Sequence, residues 1–211
     1  MALLGTGIFL DLDGTLADSL SVMKIAYFSF LNRYGKLGSD SEFSSLNGPP
    51  LPKVVQFLRA EYELSETQEE LLTFYRRMIK KSYLDVVPNS GADDLLDRAK
   101  FVGHTIGVVT SNSRELTLQW LRQVELIEKI DIIVGGDDVN CGKPAPEPYF
   151  LALERAKCDA AKSFAVEDSL SGANSALSAG IRTFLLSRDR SVTLQGTIPV
   201  GNLKEVAEKT C

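Results

Sequence analysis

The feature that most constrains the fold is a short apolar run that stops at two closely spaced acids, within residues 8–19, read IFLDLDGTLADS. Residues 8–10 are all large and apolar, which is typical of a strand buried on both faces of a parallel sheet. Asp11 and Asp13 follow this run, so we expect both acids at the carboxyl end of the strand. Gly14 then indicates that the strand ends there.

The position of Asp11 and Asp13 favours a chemical role over a structural one. In an open α/β sheet, the loops at the carboxyl ends of the strands form the ligand crevice, and paired carboxylates there indicate a functional site. The alternative is an ordinary turn, since Asp13-Gly14 is a common turn dipeptide that Thr15 could close. For an isolated Asp-Gly-Thr, the turn would be the better interpretation.

Two organisations follow each other along the chain. Residues 19–85 carry only helical patterns, with a polar stretch at 38–45 and a capping-box pattern from Ser65 to Gln68. From Pro88 onward, predicted strands alternate with predicted helices, which indicates a parallel, right-handed βαβ sheet. We therefore predict an α/β core from residues 1–17 and 86–211, with residues 18–85 inserted as a small all-helical domain. This insertion is either purely structural or, as we favour, a lid over the two acids.

The predicted elements of the second part are regularly spaced. Helices are expected at 92–101, 115–124, 147–157, 171–179 and 203–209, and strands at 105–109, 130–134, 163–166 and 181–186.

A hydroxyl-rich segment directly follows the strand expected at 105–109. Thr110, Ser111 and Asn112 are residues that often cap a following helix. A hydroxyl and backbone N–H groups at a helix N-terminus also bind phosphate oxygens, so the two interpretations are compatible.

Two charged segments lie in comparable places. Lys143 stands between Gly142 and Pro144, and this stiff loop would hold its ammonium in place, whereas most loop lysines are simply solvated. Glu167 and Asp168 follow another apolar run and could serve the N-terminus of the next helix. Facing the first two acids, they would instead complete an oxygen-rich site of the kind that Mg²⁺ prefers.

Together these segments resemble the haloacid-dehalogenase-like hydrolases in all four motifs. The nucleophile motif D-x-D-G-T-L-x-D-S is matched from Asp11 to Ser19, and Thr110, Lys143 and Glu167-Asp168 look like the second, third and fourth motifs in the right order. The resemblance implies a Rossmann-like core with a helical cap domain, as in phosphoglycolate phosphatase-like and β-phosphoglucomutase-like members. The loop beginning Asn47-Gly48 is similar to the substrate-binding cap loop of the phosphatase branch.

The resemblance also implies a mechanism. Asp11 attacks phosphorus and forms an aspartyl-phosphate, while Asp13 protonates the leaving oxygen and then activates water. Mg²⁺ is held by Asp11, Asp168 and the Asp13 carbonyl, with Glu167 nearby. The substrate phosphate is bound by Lys143 and by three residues of the second motif, namely Thr110, Ser111 and Asn112.

The substrate stays open at this stage, among phosphoglycolate, a nucleoside monophosphate, pyrophosphate and a sugar phosphate. Asp13 argues against dehalogenases and phosphonate hydrolases, which lack an acid there. Thr15 and a cap loop without arginine argue against a β-phosphoglucomutase-like mutase, which is the first alternative to a phosphatase. A catalytically idle binding protein of the same fold is the second.

Composition limits the partners. The chain has 211 residues, a formal net charge of -5 and no basic block, so neither nucleic acid nor an anionic membrane is an expected partner. Its three cysteines, Cys141, Cys158 and Cys211, have no C-x-x-C spacing, and His104 is the single histidine. We expect a cytoplasmic enzyme, monomeric or weakly homodimeric, acting on a small phosphorylated metabolite.

Overall fold

A six-stranded parallel sheet forms the centre of the protein in a computed structural model that describes residues 4–46, 49–187, 189 and 191–210. Its strand order is β3-β2-β1-β4-β5-β6, and every neighbouring pair is parallel. The strands are β1 (Gly7–Leu10), β2 (Thr105–Val109), β3 (Ile132–Val134), β4 (Phe164–Glu167), β5 (Arg182–Leu186) and β6 (Ile198–Val200). The predicted α/β fold with a parallel sheet is confirmed.

The strand register brings the predicted site segments to one edge. Leu10 of β1 pairs with Val108 of β2 on one side and with Val166 of β4 on the other. The residues that follow these positions therefore leave the sheet at the same edge. The chain order also reverses around β1, and such a switch point is where open α/β sheets place their ligands.

Between β1 and α5 (Ala92–Phe101), the described residues form four helices, all within residues 20–82, which we call the helical insert. They are α1 (Leu20–Arg33), α2 (Asp40–Ser45), α3 (Leu51–Glu61) and α4 (Gln68–Ser82), followed by a 3₁₀ turn at Tyr83–Asp85. The division of the chain into a core and a cap domain at residues 17 and 86 stays a prediction.

Two details of the insert differ from the sequence analysis. Residues 38–45 were expected as a polar stretch, but α2 forms there because the Ser39 side chain accepts a hydrogen bond from the Glu42 N–H. The capping box belongs to Thr67 and Glu70, whose side chains and backbone N–H groups bond reciprocally, and the predicted box from Ser65 to Gln68 was wrong.

Five further helices flank the sheet, close to their predicted bounds. They are α5 (Ala92–Phe101), α6 (Arg114–Gln123), α7 (Glu147–Ala156), α8 (Leu170–Ser178) and α9 (Leu203–Thr210). The edge strand β6 was not predicted. None of the helices within the described ranges has both the length and the apolar character that crossing a membrane requires.

The core fills both faces of the sheet. Ile8 and Leu10 belong to a buried cluster that continues into the insert through residues such as Tyr27 and Phe30. Phe9 points to the opposite face and joins a second cluster with Tyr149 of α7. Alternate side chains of a strand point to opposite faces, so a strand buried on both must be apolar throughout, as β1 is.

Candidate active site at the carboxyl edge of the sheet

Asp11 sits directly beyond β1 and is fixed from two sides. Its backbone N–H donates to the Val166 carbonyl at 3.0 Å, which prolongs the pairing of β1 with β4 by one residue. Its carboxylate accepts a hydrogen bond from Lys143, with 2.6 Å between Nζ and Oδ1. The side chain is nearly buried, and this burial raises the pKa of Asp11 although the Lys143 charge opposes the rise.

Lys143 is the buried cation of the site, with only 2% of its surface exposed. Its ammonium also donates to the Val109 carbonyl at 2.9 Å and lies 2.5 Å from Oε1 of Glu167. Burial alone would lower the pKa of Lys143, but the charges of Asp11 and Glu167 outweigh burial and hold the pKa above its usual value. Lys143 therefore keeps its positive charge at neutral pH.

Three carboxylates stand close enough to share a cation. One oxygen each of Asp11, Glu167 and Asp168 lies within 4.8 Å of the others. Glu167 is completely buried, its Oε1 is engaged by Lys143 and by the Tyr149 hydroxyl, and its Oε2 has no hydrogen-bond partner in the described structure. These three carboxylates form an all-oxygen donor set in which one buried oxygen has no hydrogen-bond partner among the described residues. Such a set fits a hard cation such as Mg²⁺.

The pKa of Glu167 reflects the burial and the negative charge of this acid cluster. Burial raises the pKa of Glu167 to about 7, with the Lys143 charge lowering it and the Asp11 charge raising it further. The expected division of labour, with Asp168 as a direct ligand and Glu167 as a water-mediated one, stays a prediction.

Asp13 occupies the other side of the site and is held by three donors. Ser19 Oγ donates to Oδ1 at 2.6 Å, the Tyr83 hydroxyl donates to the same oxygen, and Asn112 Nδ2 donates to Oδ2 at 2.5 Å. Burial, followed by the negative charge of Asp11, nevertheless raises the pKa of Asp13 to about 6. A carboxyl group with such a pKa can give and take a proton near neutral pH.

The residues expected to bind phosphate border the same cavity. Thr110 is buried behind β2, where its N–H donates to the Val134 carbonyl at 2.9 Å and its hydroxyl accepts from the Asn112 N–H at 3.1 Å. Thr110, Ser111 and Asn112 line the cavity together with Asp11 and Asp13. Thr110, Ser111 and Asn112 were candidates to cap the next helix. The cap of α6 is instead the following residue, Ser113, whose side chain accepts a hydrogen bond from the Leu116 N–H.

The structure thus brings the core residues of the predicted site together. Asn47 and Gly48, which were predicted to bind substrate, lie outside the described residues.

Three residues that contribute to the site were not predicted. Ser19 ends the first motif and precedes α1, and its side chain donates to Asp13 and makes no capping bond. Tyr83 and Tyr149 carry no motif signal, because an aromatic residue at helical spacing indicates only a core position.

Similarity to known proteins shows the family of this chain. The sequence profile described as haloacid dehalogenase-like hydrolase matches residues 8–186, which is most of the chain. The chain belongs to this family. This haloacid dehalogenase-like hydrolase is 31% identical over 183 residues to a phosphoglycolate phosphatase of Nitrosospira multiformis, covering 84% of this chain and 81% of the relative.

A second relative and a solved structure are also similar to this chain. The haloacid dehalogenase-like chain is 30% identical over 175 residues to a phosphorylated carbohydrates phosphatase of Thermotoga maritima, covering 82% of this chain and 81% of the relative. The crystal structure of β-phosphoglucomutase from Clostridium difficile superposes with a TM-score of 0.83, at 17% identity and with 98% and 97% of the two chains covered. This second likeness shows the fold alone, and the family resemblance stated from the motifs is confirmed.

Proposed function

We propose that this haloacid dehalogenase-like phosphatase depends on Mg²⁺ and hydrolyses a small phosphomonoester through an aspartyl-phosphate on Asp11. The observation that carries the proposal is the pairing of two differently placed acids. Asp11 is buried beside the Lys143 ammonium, whereas Asp13 borders the same cavity with a pKa raised to about 6. One carboxylate is thus suited to attack and the other to proton transfer.

In the first step, an oxygen of Asp11 attacks phosphorus while the bond from phosphorus to the substrate oxygen breaks. Asp13 donates its proton to that leaving oxygen, which departs as a neutral alcohol. Lys143 and the hydroxyl of Thr110, with backbone N–H groups of the same segment, bind the phosphoryl oxygens, over which the negative charge spreads in the transition state.

In the second step, water attacks the aspartyl-phosphate. Asp13, now ionised, takes the proton from this water, and the bond between phosphorus and Asp11 breaks. Inorganic phosphate leaves and both acids return to their starting states. The hydrogen bonds from Ser19 and Asn112 suit the ionised form of Asp13 that this step needs.

Mg²⁺ would be held by Asp11, Asp168 and the Asp13 carbonyl, with Glu167 close by. The donor set fits, because three carboxylates converge and one buried oxygen of Glu167 lacks a hydrogen-bond partner in the described structure. When bound, the ion supplies positive charge to the phosphoryl group and relieves the repulsion among the acids.

The helical insert is proposed to act as the cap domain. Residues of all four helices of the insert line the cavity together with Asp11 and Asp13. A wall that closes over the acids would exclude bulk water and strengthen the electrostatic interactions within the site.

The proposal extends to the substrate, the partners and the location of the enzyme. The substrate is a small phosphorylated metabolite, in keeping with the names of the relatives from N. multiformis and T. maritima. A mutase, which needs a second phosphate site, and an idle binding protein are the alternatives. A cytoplasmic location, a monomeric or weakly dimeric state and the lack of nucleic-acid or membrane partners stay predictions.

The test is the hydrolysis of p-nitrophenyl phosphate in the presence of Mg²⁺ by the wild-type protein and by Asp11→Asn. The amide keeps the shape of Asp11 but is a poor nucleophile, so we expect at least about a thousandfold loss of kcat and no acid-quenched protein carrying phosphate. Asp94→Asn, an exposed acid of α5 outside the four motifs, is the matched control and should keep wild-type activity. Turnover by Asp11→Asn at the wild-type rate would exclude the covalent mechanism.

A further inference from the structure

The part of the cavity wall that the insert contributes is apolar. The insert contributes Met23, Phe43, Leu51, Val54, Tyr75 and Ile79 to it. Among the described residues that line the cavity, none is lysine, arginine or histidine. A leaving group seated against this wall therefore meets hydrocarbon and aromatic surface rather than a positive charge.

The two tyrosines of the wall differ in what their hydroxyls do. Tyr27 also lines the cavity, but its hydroxyl donates to Glu42, which accepts a second bond from Tyr62 at 2.9 Å. Tyr75 is 4% exposed and stacks on Phe30 with 4.6 Å between ring centroids, yet its hydroxyl has no hydrogen-bond partner within the described residues. Tyr75 thus offers the wall a hydroxyl that no other described residue binds, suited to a single acceptor on a ligand.

A second anionic group on the substrate would be unfavourable at this wall. A carboxylate or a further phosphate would lose its hydration without gaining a cation in exchange. It would also share the cavity with Asp11, Asp13 and Asp168, whose like charges repel it. An uncharged apolar group gains instead, because its surface leaves water without any unpaired charge.

Two cations of the insert lie outside this cavity, in helix α4 and close in sequence to residues that line it. Arg76 and Lys80 of α4 border a neighbouring part of the cleft, which they share with Glu115 and Asp137. Both basic side chains are exposed, and Lys80 pairs with Glu115 at 3.1 Å. Two acids beside two solvated bases make this neighbouring region a poor site for a substrate anion.

We propose that the substrates are phosphomonoesters of uncharged alcohols with an aromatic or branched apolar body, bound against the apolar wall of the insert. This inference rests on the proposed phosphatase function and narrows it to a substrate class. A hydrogen-bond acceptor on that body, such as a carbonyl or ether oxygen, would receive the Tyr75 hydroxyl. Substrates with a second anion, such as phosphoglycolate, are selected against.

The test compares kcat/KM for 2-phenylethyl phosphate and phosphoglycolate with Mg²⁺ present. Both are alkyl esters, so the contrast lies mainly in the apolar or anionic character of the leaving group. We expect 2-phenylethyl phosphate to be preferred by at least about tenfold, since small apolar differences in a pocket already give such ratios. A preference for phosphoglycolate overturns the proposal. If that preference were lost in Arg76→Gln, the second anion would be bound in the neighbouring cleft.

A charge placed in the wall should shift the preference. Val54 is 7% exposed and lines the cavity, so Val54→Lys brings an ammonium to the apolar face. We expect the ratio to shift at least about tenfold toward phosphoglycolate in this variant. Leu37→Lys, at a position 89% exposed and outside the cavity, is the matched control and should leave the ratio unchanged.

The outcomes separate this inference from the proposed function. If neither ester nor p-nitrophenyl phosphate releases phosphate, the phosphatase function fails and the substrate class fails with it. If phosphate is released but the anionic ester is preferred, only the substrate class is wrong. Should Val54→Lys not fold, as judged by circular dichroism, the wild-type ratio by itself still decides.

Discussion

At the residue scale, the most informative contact is the one between Tyr83 and Asp13, because it fixes the proposed proton donor from outside the motifs. Tyr83 is 2% exposed, its hydroxyl donates to Asp13, and Asn112 donates to that hydroxyl at 3.2 Å. Tyr83→Phe removes one of three donors without changing the packed ring. We expect kcat to fall by about ten- to a hundredfold with KM nearly unchanged, since a hydrogen bond to a charged group is worth about 1.5–3 kcal/mol.

The measurement is phosphate release from p-nitrophenyl phosphate at saturating and limiting substrate. Tyr62→Phe serves as the control, because it removes a half-buried hydroxyl contact to Glu42 in the insert and none to Asp13. A rise in KM with unchanged kcat in Tyr83→Phe would mean that this tyrosine affects binding rather than the position of the acid.

At the element scale, the strands of the sheet interior could be predicted from the sequence, whereas the edge strand β6 and the short helix α2 could not. The strands β1, β2 and β4 are apolar runs that end in polar residues, so both the fold and the acids at its edge were visible in the sequence. The edge strand β6 has three residues, one of them Pro199, which removes a backbone donor and is tolerated only at an edge. Helix α2 depends on one capping side chain, and Tyr83 reaches Asp13 only through the tertiary fold.

The approach of α8 to β4 supports a prediction about Gly172. A Cβ atom at Gly172 would lie 1.8 Å from Oε2 of Glu167, which is fully buried and held by Lys143 and Tyr149. Helix propensity alone predicts that Gly172→Ala stabilises α8 by about 1 kcal/mol. We expect the clash to dominate, with a net loss of about 1–3 kcal/mol and a fall in Tm of about 2–12 °C.

Thermal unfolding followed by circular dichroism checks this prediction. Ser178→Ala, at an exposed position of the same helix, gives the effect of an added alanine without a clash. A higher Tm in Gly172→Ala than in the wild-type protein would show that Glu167 moves aside at little cost.

At the scale of the whole molecule, the site is a concentration of negative charge that the fold only partly neutralises. The chain carries a net charge of -5, and Asp11, Glu167 and Asp168 lie together while Lys143, the one buried lysine among the described residues, pairs with the first two. Acids held together in this way destabilise the folded state unless a cation joins them. The catalytic arrangement and the stability of the fold are therefore linked through the same residues.

Mg²⁺ should consequently stabilise the whole protein, because the unfolded chain does not hold these three carboxylates together. At a hundredfold excess over Kd, binding to the folded state alone adds about 2.7 kcal/mol, which corresponds to a rise in Tm of about 5–10 °C for a chain of this size. Differential scanning calorimetry with MgCl₂ against NaCl of equal ionic strength measures this shift. Asp168→Asn should lose most of it and the exposed Asp94→Asn should keep it. Equal shifts in both variants would place the stabilising ion outside the acid cluster.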